Sequence, residues 1–264
     1  MVEKESEWVL PENLRKQEVR EIQEVEQGIF NGKGDFGSYY AYLTGSNKNF
    51  INSHAVSDDQ IAYRYVTHIN AILEKHSLEL KGDIIDIGCA IGTITNGIYK
   101  LNKRGNTCGL DISSSSIEVA KNKYPNCFFY NQSADELENF DDEQFDVIHS
   151  REFYPFTRTN DHVYQLTYLN LFYQKLKPHG IVVLQTFGED IGFCNTYKKL
   201  SYEIDQIGYS SIQRITMLPN FFFRLFGKAA YGVIFHPVLL AITKTAIFVT
   251  GRGRRAFLYI LRKG

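Results

Sequence analysis

The stretch Asp83–Thr93, DIIDIGCAIGT, decides the fold of this chain. Its first half is a short apolar run of the kind that forms a buried strand, and a helical pattern opens at its end. Gly88 allows a tight turn and a close approach of the backbone to a ligand. Gly92 allows the helix to pack closely on the strand. The stretch therefore predicts a strand, a ligand-binding turn and a helix in immediate succession.

Strands and helices alternate on both sides of this turn. Before it, Ile61, Tyr65, His68, Ile69 and Ile72 recur at helical spacing in a helix that starts near residue 57. The predicted strands are residues 83–87, 107–112, 127–131, 145–149, 181–186 and 256–261. The later predicted helices are residues 93–101, 115–123, 161–176 and 196–206, with a break at 177–180. This alternation predicts an α/β fold with a mostly parallel sheet covered on both faces.

Polar residues follow the next two strands. Asp111 ends the second strand, and an acid there accepts hydrogen bonds from both hydroxyls of a ribose. A dinucleotide site would require the same acid. Three features favour another nucleoside cofactor: Asp86 opens the turn, Ala90 narrows the approach to a pyrophosphate, and Ala134-Asp135 offer groups for an adenine edge. These features favour a single nucleoside over a dinucleotide such as NAD.

On these residues the chain resembles the class I S-adenosylmethionine-dependent methyltransferases. That family has a D/E-x-G-x-G-x-G turn after the first strand, an acid at the end of the second, and an Ala-Asp pair after the third. The chain matches it at Asp86, Gly88, Gly92, Asp111, Ala134 and Asp135. Ala90 departs from the family at the middle glycine. The resemblance implies a methyltransferase with S-adenosylmethionine as its cofactor.

The resemblance also implies a set of cofactor-binding residues. Asp111 would bind the ribose, Asp135 the adenine amino group, Gly88 would lie against the methionine half, and Asp86 would lie near its ammonium. These roles are chemically reasonable because the ammonium, the diol and the exocyclic amine all need acceptors. The full implied set is Asp86, Gly88, Cys89, Ala90, Gly92, Asp111, Ile112, Ala134, Asp135 and Ser150.

The resemblance sets the expected architecture. It implies a Rossmann-like, doubly wound sheet of seven strands, mostly parallel, with an antiparallel last strand at the C-terminus. It covers residues 57–264, which we expect to form the methyltransferase domain. Residues 1–56 are then an N-terminal helical and loop arm. Residues 219–253 form an apolar, basic insertion that we expect to act as a lid.

The sequence identifies the catalytic base, the residue that takes the proton of the methyl acceptor, less clearly than it identifies the cofactor-binding residues. Small-molecule members of the family often carry a histidine base in the loop after the fourth strand, and here Pro155 and Phe156 occupy that neighbourhood. A Glu or His near the acceptor can take a hydroxyl proton as the methyl group moves. The candidates near the fourth and fifth strand ends are Glu152, His162, Glu189 and His149. A solvated or helix-capping role is the alternative for each of them. We expect no metal, because His149-Ser150 stand where metal-assisted members have an Asp.

Charge and composition bear on the partners. The formal net charge is −1 and gives no indication of nucleic-acid binding. From Gln206 to Gly264 there is no acidic residue against nine Lys and Arg. This asymmetry predicts an anionic partner, either a small anionic substrate held by Arg252, Arg254 and Arg255 or a membrane surface, unless it is only a basic rim.

The compartment is predicted from the cysteines and the N-terminus. The four cysteines have neither CxxC pairs nor zinc spacing, which fits free thiols in a reducing cytoplasm. The N-terminus is too charged for a signal peptide. The apolar run 229–251 contains His236, Pro237 and Lys244, which favours a buried or interfacial cap over a membrane span.

Together these features predict O-methylation of a small polar metabolite. A sugar or nucleotide-linked sugar of bacterial surface-polysaccharide (capsule) pathways is the first choice, because an acid-free C-terminal region suits a phosphorylated acceptor. A lipid or quinone methyltransferase in peripheral contact with a membrane is the enzyme alternative. A cofactor-binding scaffold without catalysis is the non-enzyme alternative. The sequence indicates no oligomeric state.

Overall fold

The computed structural model describes residues 58–157, 160–187, 192–250 and 256–264. Within these ranges strands and helices alternate along the chain. The strands are β1 (Ile84–Ile87), β2 (Thr107–Asp111), β3 (Phe128–Asn131), β4 (Phe145–Arg151), β5 (Leu176–Phe187), β6 (Tyr209–Met217) and β7 (Ala256–Lys263). The α-helices are α1 (Asp59–Lys75), α2 (Thr93–Leu101), α3 (Ser114–Lys123), α4 (Tyr154–Thr157), α5 (His162–Lys175), α6 (Phe193–Ile207), α7 (Asn220–Phe226) and α8 (Phe235–Thr250). Two 3-10 helices cover Ala134–Asn139 and Gly227–Tyr231.

The seven strands form one sheet in the order β3-β2-β1-β4-β5-β7-β6. The neighbours from β3 to β5 pair in parallel, whereas β7 runs antiparallel to both β5 and β6. β6 consequently runs in the same direction as β5. The predicted fold class is confirmed: a doubly wound, mostly parallel sheet with an antiparallel last strand.

Two apolar cores lie on opposite faces of the sheet. On one face α1 and α2 pack against the strands through Ile69, Ile98 and Val147. On the other face α5 and α6 pack through Phe172 and Leu200. Burial on both faces explains why β1 is apolar at nearly every position, since parallel strands in such sheets have no solvent-facing side. Since both faces of the sheet are covered, a ligand can reach the central strands only at their ends, through the loops that follow them.

β5 begins earlier than the sequence predicts. Phe145 pairs with Leu176 and Val147 with Ile181, so residues 177–180 bulge out of the strand opposite a single residue of β4. The Lys177 ammonium holds this bulge, because it lies 2.7 Å from an oxygen of Asp83 and 2.8 Å from one of Asp146. The predicted break is therefore a bulge within a longer strand.

Two further elements differ from the sequence prediction. Helix α6 starts at Phe193, three residues before the predicted 196, and β6 is a strand that the pattern did not locate. Only Tyr209 and Met217, the two ends of β6, are buried, and all the residues between them are at least partly exposed, so β6 lacks the continuous apolar run that marks the central strands.

The segment between β6 and β7 forms a cap, residues 220–250, made of α7, a 3-10 helix and α8. Because β6 is parallel to β5, the cap starts at the carboxyl edge of the sheet, where the turn after β1 also lies. His68 of α1 anchors the cap through Asn220, Phe223 and Tyr231. In the described part of the chain, no helix is both long and apolar enough to cross a membrane.

Several sequence predictions lie outside the described residues. They are the N-terminal arm over residues 1–56, the candidate base Glu189, and the basic cluster Arg252, Arg254 and Arg255.

Candidate functional site

The turn after β1 has a backbone that favours glycine at three alternate positions. Gly88, Ala90 and Gly92 all have positive φ, at 73°, 46° and 75°. Ala90 therefore adopts the conformation for which the family pattern has its middle glycine, although a left-handed conformation costs a non-glycine residue about 1–2 kcal/mol. The departure at Ala90 changes the residue and leaves the shape of the turn intact.

The two glycines are needed for different reasons. A methyl group added at Gly92 would lie 2.6 Å from Phe129 Cζ and 2.9 Å from Ala120 Cβ, so Gly92 permits packing inside the protein. A methyl group added at Gly88 would meet only Phe153 Cδ2, at 3.7 Å. Gly88 is exposed, so its missing side chain leaves room for a group from outside the chain. The ring of Phe153 brings the loop after β4 against this turn.

Asp111 joins the ends of β1 and β2. Its Oδ2 accepts a hydrogen bond from Ala90 N–H at 2.8 Å, and its Oδ1 accepts one from Ser113 N–H at 2.9 Å. Burial raises the pKa of this carboxyl, and the two backbone hydrogen bonds act in the opposite direction. Each oxygen keeps a lone pair for another donor. The carboxylate therefore shapes the turn and can still accept a ribose hydroxyl.

The end of β3 supplies the third polar element. Ala134 is buried and Asp135 is exposed at the start of a 3-10 helix, where Ser133 caps the helix. Asp135 Oδ1 accepts a hydrogen bond of 2.5 Å from the Tyr168 hydroxyl. Ile112, after β2, is also exposed. These residues line the same edge of the sheet as the turn, as the topology requires.

A buried polar network lies beneath the turn. His149 is 1% exposed, and its Nδ1 lies 2.7 Å from Asp86 Oδ1. Asp86 Oδ2 accepts a hydrogen bond of 2.7 Å from the Thr95 hydroxyl. His149 Nε2 lies 3.2 Å from the hydroxyl of Tyr65 on α1. Both ring nitrogens of His149 are thus engaged, and the ring does not open into the cleft.

Sequence reasoning missed the part that Tyr65 and Thr95 play in this network. Each stands at an ordinary helical position, and neither belongs to a motif. Asp86 and His149 pair directly across β1 and β4, so the register of the sheet brings them together.

The loop after β4 holds Ser150 and Glu152. The Ser150 hydroxyl is buried and donates to the Ile87 carbonyl at 2.8 Å, tying β4 to the start of the turn. Glu152 has a φ of 56°, and its Oε1 accepts a hydrogen bond of 2.7 Å from Phe187 N–H at the end of β5. This carboxylate thus lies between the ends of β4 and β5, next in sequence to Phe153, whose ring borders Gly88.

His162 lies apart from this group. It is the first residue of α5, half-buried, with its Nδ1 3.4 Å from the Lys199 ammonium on α6. Of the four candidate bases, the structure brings Glu152 and His149 to the carboxyl edge and leaves His162 on a helix surface. No cluster of three or more metal-ligating side chains occurs among the described residues. All four cysteines are free.

Comparison with known proteins identifies the family. A family model for a methyltransferase domain matches residues 79–215, just over half of the chain. The chain belongs to this methyltransferase domain family. The matched region contains the turn after β1, Asp111, the Ala134-Asp135 pair and the loop after β4. The domain is a methyltransferase with S-adenosylmethionine as its cofactor, which agrees with the choice of a single nucleoside over a dinucleotide.

Two named proteins are similar in sequence to this chain over part of their length. The chain is 34% identical over 91 residues to the putative methyltransferase 235L of Invertebrate iridescent virus 6, covering 34% of this chain and 33% of that protein. It is 28% identical over 146 residues to the malonyl-[acyl-carrier protein] O-methyltransferase of Bacillus anthracis, covering 53% of this chain and 52% of that protein. The chain thus spans about a third of the length of the first relative and about half of the length of the second.

Solved structures share the fold at low sequence identity. The plantazolicin methyltransferase BamL, in complex with a triazolic analog and SAH, superposes with a TM-score of 0.57 at 10% identity, covering 85% of this chain and 94% of that chain. The DhpI-SAH complex superposes with a TM-score of 0.52 at 15% identity, covering 86% and 93%. These likenesses show that the methyltransferase domain has the same fold as both proteins.

Proposed function

We propose that the protein transfers a methyl group from S-adenosylmethionine to an oxygen of a small polar acceptor, with a sugar or nucleotide-linked sugar of surface-polysaccharide synthesis as the first choice. One observation carries the proposal. Phe153, in the loop after β4, lies against exposed Gly88, so that this loop borders the place where the cofactor would lie. Glu152, the neighbouring residue, is a carboxylate at that border.

The proposed cofactor contacts follow the strand ends. Asp111 accepts the ribose hydroxyls with the lone pairs left free by its two backbone bonds, and Asp135 accepts the adenine amino group. Asp86 is buried with both oxygens engaged, so it favours the ammonium of the cofactor through its negative charge rather than through direct contact. Gly88 lets the methionine half approach the backbone.

The proposed chemistry is a displacement at carbon. S-adenosylmethionine, when bound, supplies a methyl group on a good leaving group. The chain must then align the acceptor oxygen, and such alignment supplies about 7–11 kcal/mol of the barrier reduction. Glu152 takes the proton from the acceptor hydroxyl, which adds about 10²–10⁴-fold. His149 takes no proton directly in this scheme, because both ring nitrogens are engaged below the cleft.

The test is turnover to S-adenosylhomocysteine with a panel of sugar phosphates and nucleotide-linked sugars. With an accepted substrate, Glu152→Gln should lower the turnover rate at least tenfold and leave cofactor affinity near the wild-type value. His162→Gln, on the surface of α5, is the matched control and should keep full activity. Equal rates for wild type and Glu152→Gln would remove Glu152 from the mechanism, and no turnover across the panel would remove the sugar and nucleotide-linked sugar acceptors.

One observation favours a second candidate, a lipid or quinone acceptor. The cap exposes large apolar side chains, with Val233 at 93%, Ile234 at 78% and Phe221 at 63% exposure. Arg224 and Lys244 lie in the same segment, which has no acidic residue. Apolar side chains flanked by basic ones suit peripheral contact with an anionic membrane.

Co-sedimentation with phosphatidylglycerol vesicles separates the two candidates. A double variant Val233→Ser, Ile234→Ser should lose vesicle binding if the cap docks on lipid. Tyr202→Ser removes a side chain that is 81% exposed on α6, which packs on the opposite face of the sheet from the helix α1 that anchors the cap, and serves as the control. Absence of wild-type binding at low salt would leave the polar acceptor as the single candidate.

The remaining parts of the proposal concern the whole chain. We propose that residues 57–264 form the methyltransferase domain, with residues 1–56 as an added arm and residues 219–253 as the insertion over the site. We also propose that the protein acts in the cytoplasm on an anionic acceptor.

A further inference from the structure

Arg151 is the last residue of β4, at the carboxyl edge of the sheet. Its guanidinium carbon lies 5.4 Å from the ring centroid of Tyr65 on α1 and 5.4 Å from that of Phe187 at the end of β5. Two aromatic rings therefore contact the same cation. A guanidinium stacks well on aromatic rings and presents its donors as a planar fork.

This cation lacks a counter-ion in the part of the chain that the structure describes. Its Nε is buried and has no hydrogen-bond partner among the described residues, and the guanidinium forms no ion pair with any of their carboxylates. Two carboxylates near the ends of β1 and β4 are engaged by other groups: Asp86 by Thr95 and His149, and Glu152 by Phe187 N–H. A partly buried cation with an unmatched donor is costly unless an anion completes it.

The rings that hold Arg151 are themselves anchored. The Tyr65 hydroxyl lies 3.2 Å from His149 Nε2, and His149 is held by Asp86. The backbone of Phe187 pairs with Ala256 of β7 and donates to Glu152. The guanidinium is therefore held in place before any ligand arrives, which favours two-pronged recognition of a carboxylate or phosphate.

The position of Arg151 indicates which anion it binds. β4 lies between β1 and β5, and Arg151 is its last residue, with the guanidinium held between Tyr65, which reaches the network beneath the turn, and Phe187 at the end of β5. The methyl donor occupies the β1 side in the proposed function, and the acceptor occupies the loops after β4 and β5. We propose that Arg151 binds an anionic oxygen group of the acceptor, a phosphate or a carboxylate. This inference rests on the proposed function and assigns the residue that recognises the anionic group of its acceptor.

The structure offers a matched control for a test. Arg214 on β6 also stacks between two rings, with its guanidinium carbon 4.9 Å from the Tyr197 centroid and 5.6 Å from that of Phe257. Arg214 is exposed to solvent, where water satisfies its donors, and it lies at the far edge of the sheet from the turn. Arg214→Met and Arg151→Met thus remove the same chemical group and differ in the site affected.

The experiment uses the full-length protein saturated with S-adenosylhomocysteine at low ionic strength. Inorganic phosphate and acetate are titrated in turn, and binding is followed by NMR of the anion and by calorimetry. We expect Arg151→Met to weaken binding of at least one of the two anions fivefold or more, and Arg214→Met to leave both unchanged. Glu152→Gln should strengthen anion binding, because it removes a negative charge near the guanidinium.

Two results would overturn the proposal. Equal anion binding by wild type and Arg151→Met, including none by either, would mean that Arg151 holds no anion of the acceptor. A loss of S-adenosylhomocysteine affinity in Arg151→Met, with affinity for methylthioadenosine unchanged, would assign the guanidinium to the amino-acid carboxylate of the cofactor. Failure of the proposed function would show separately, as absence of S-adenosylhomocysteine binding by the wild type.

Discussion

His68 makes the attachment of the cap sensitive to acid. Its Nδ1 lies 3.1 Å from Asn220 Oδ1 and its Nε2 lies 2.5 Å from the Tyr231 hydroxyl. That hydroxyl also accepts a hydrogen bond from Leu218 N–H, so its own proton points to Nε2. The arrangement fits a neutral ring with the proton on Nδ1. Protonation of Nε2 would place two donors against each other beneath the cap.

The size of the effect follows from the pKa of His68. Burial lowers it from 6.5 to about 4, while the Asn220 hydrogen bond acts in the opposite direction. In the unfolded chain the ring becomes charged below pH 6.5, whereas in the folded protein it stays neutral down to about pH 4. The folded state therefore loses stability as pH falls through this window. The loss reaches ~2 kcal/mol at pH 5 and ~3 kcal/mol below pH 4.

The assay compares wild type with His68→Gln, which keeps a polar side chain and does not titrate. The free energy of unfolding in urea is measured at pH 8 and pH 5 for both proteins. Other titrating groups, including Glu74 in its ion pair with Lys228 under the cap, act alike in both and cancel in the difference. Wild type should lose ~2 kcal/mol more than the variant. Amide exchange at Leu218 reports whether the cap opens first.

An equal loss of stability in wild type and His68→Gln would refute this reasoning. It would mean that the folded protein accommodates a charged His68, by moving the cap or by admitting water, at no greater cost than the unfolded chain.

Two further predictions concern the turn and the network beneath it. Gly92→Ala should lower the melting temperature, because its methyl group would lie 2.6 Å from Phe129, whereas Gly88→Ala should fold and lose S-adenosylhomocysteine binding measured by calorimetry. A Gly88→Ala protein that binds like wild type would place the cofactor elsewhere. His149→Leu should lower the free energy of unfolding by about 1–3 kcal/mol, because buried Asp86 loses its Nδ1 partner. Urea unfolding measures this loss, and an unchanged midpoint would contradict it.

Much of the fold was predictable from residues close together in the chain. Apolar runs of strand length, glycines at 88 and 92 and an acid at the end of the second strand are local features, and each meets a local requirement. A positive φ needs glycine whatever surrounds it. Because the carboxyl ends of parallel strands meet at one edge, Gly88, Asp111 and Glu152 could be assigned to that edge without coordinates.

Other features required the tertiary structure. The bulge at residues 177–180 depends on Lys177 reaching Asp83 and Asp146, which are distant in sequence. In the sequence, a lysine followed by a proline and a glycine predicts a break between a helix and a strand. No nearby residue indicates the two carboxylates that this lysine contacts.

The candidate site also has features that the sequence predicts and features that only the tertiary structure shows. The sequence by itself determined the turn, its methyltransferase resemblance and the carboxylates at the strand ends, since these follow from backbone conformation and strand order. Only the tertiary structure decided that His149 faces Asp86 below the cleft and that Arg151 stacks between Tyr65 and Phe187. Those contacts depend on the register of β1 against β4 and on the packing of α1 over the sheet. Register and packing are set by the whole core, so no spacing within a single segment contains them.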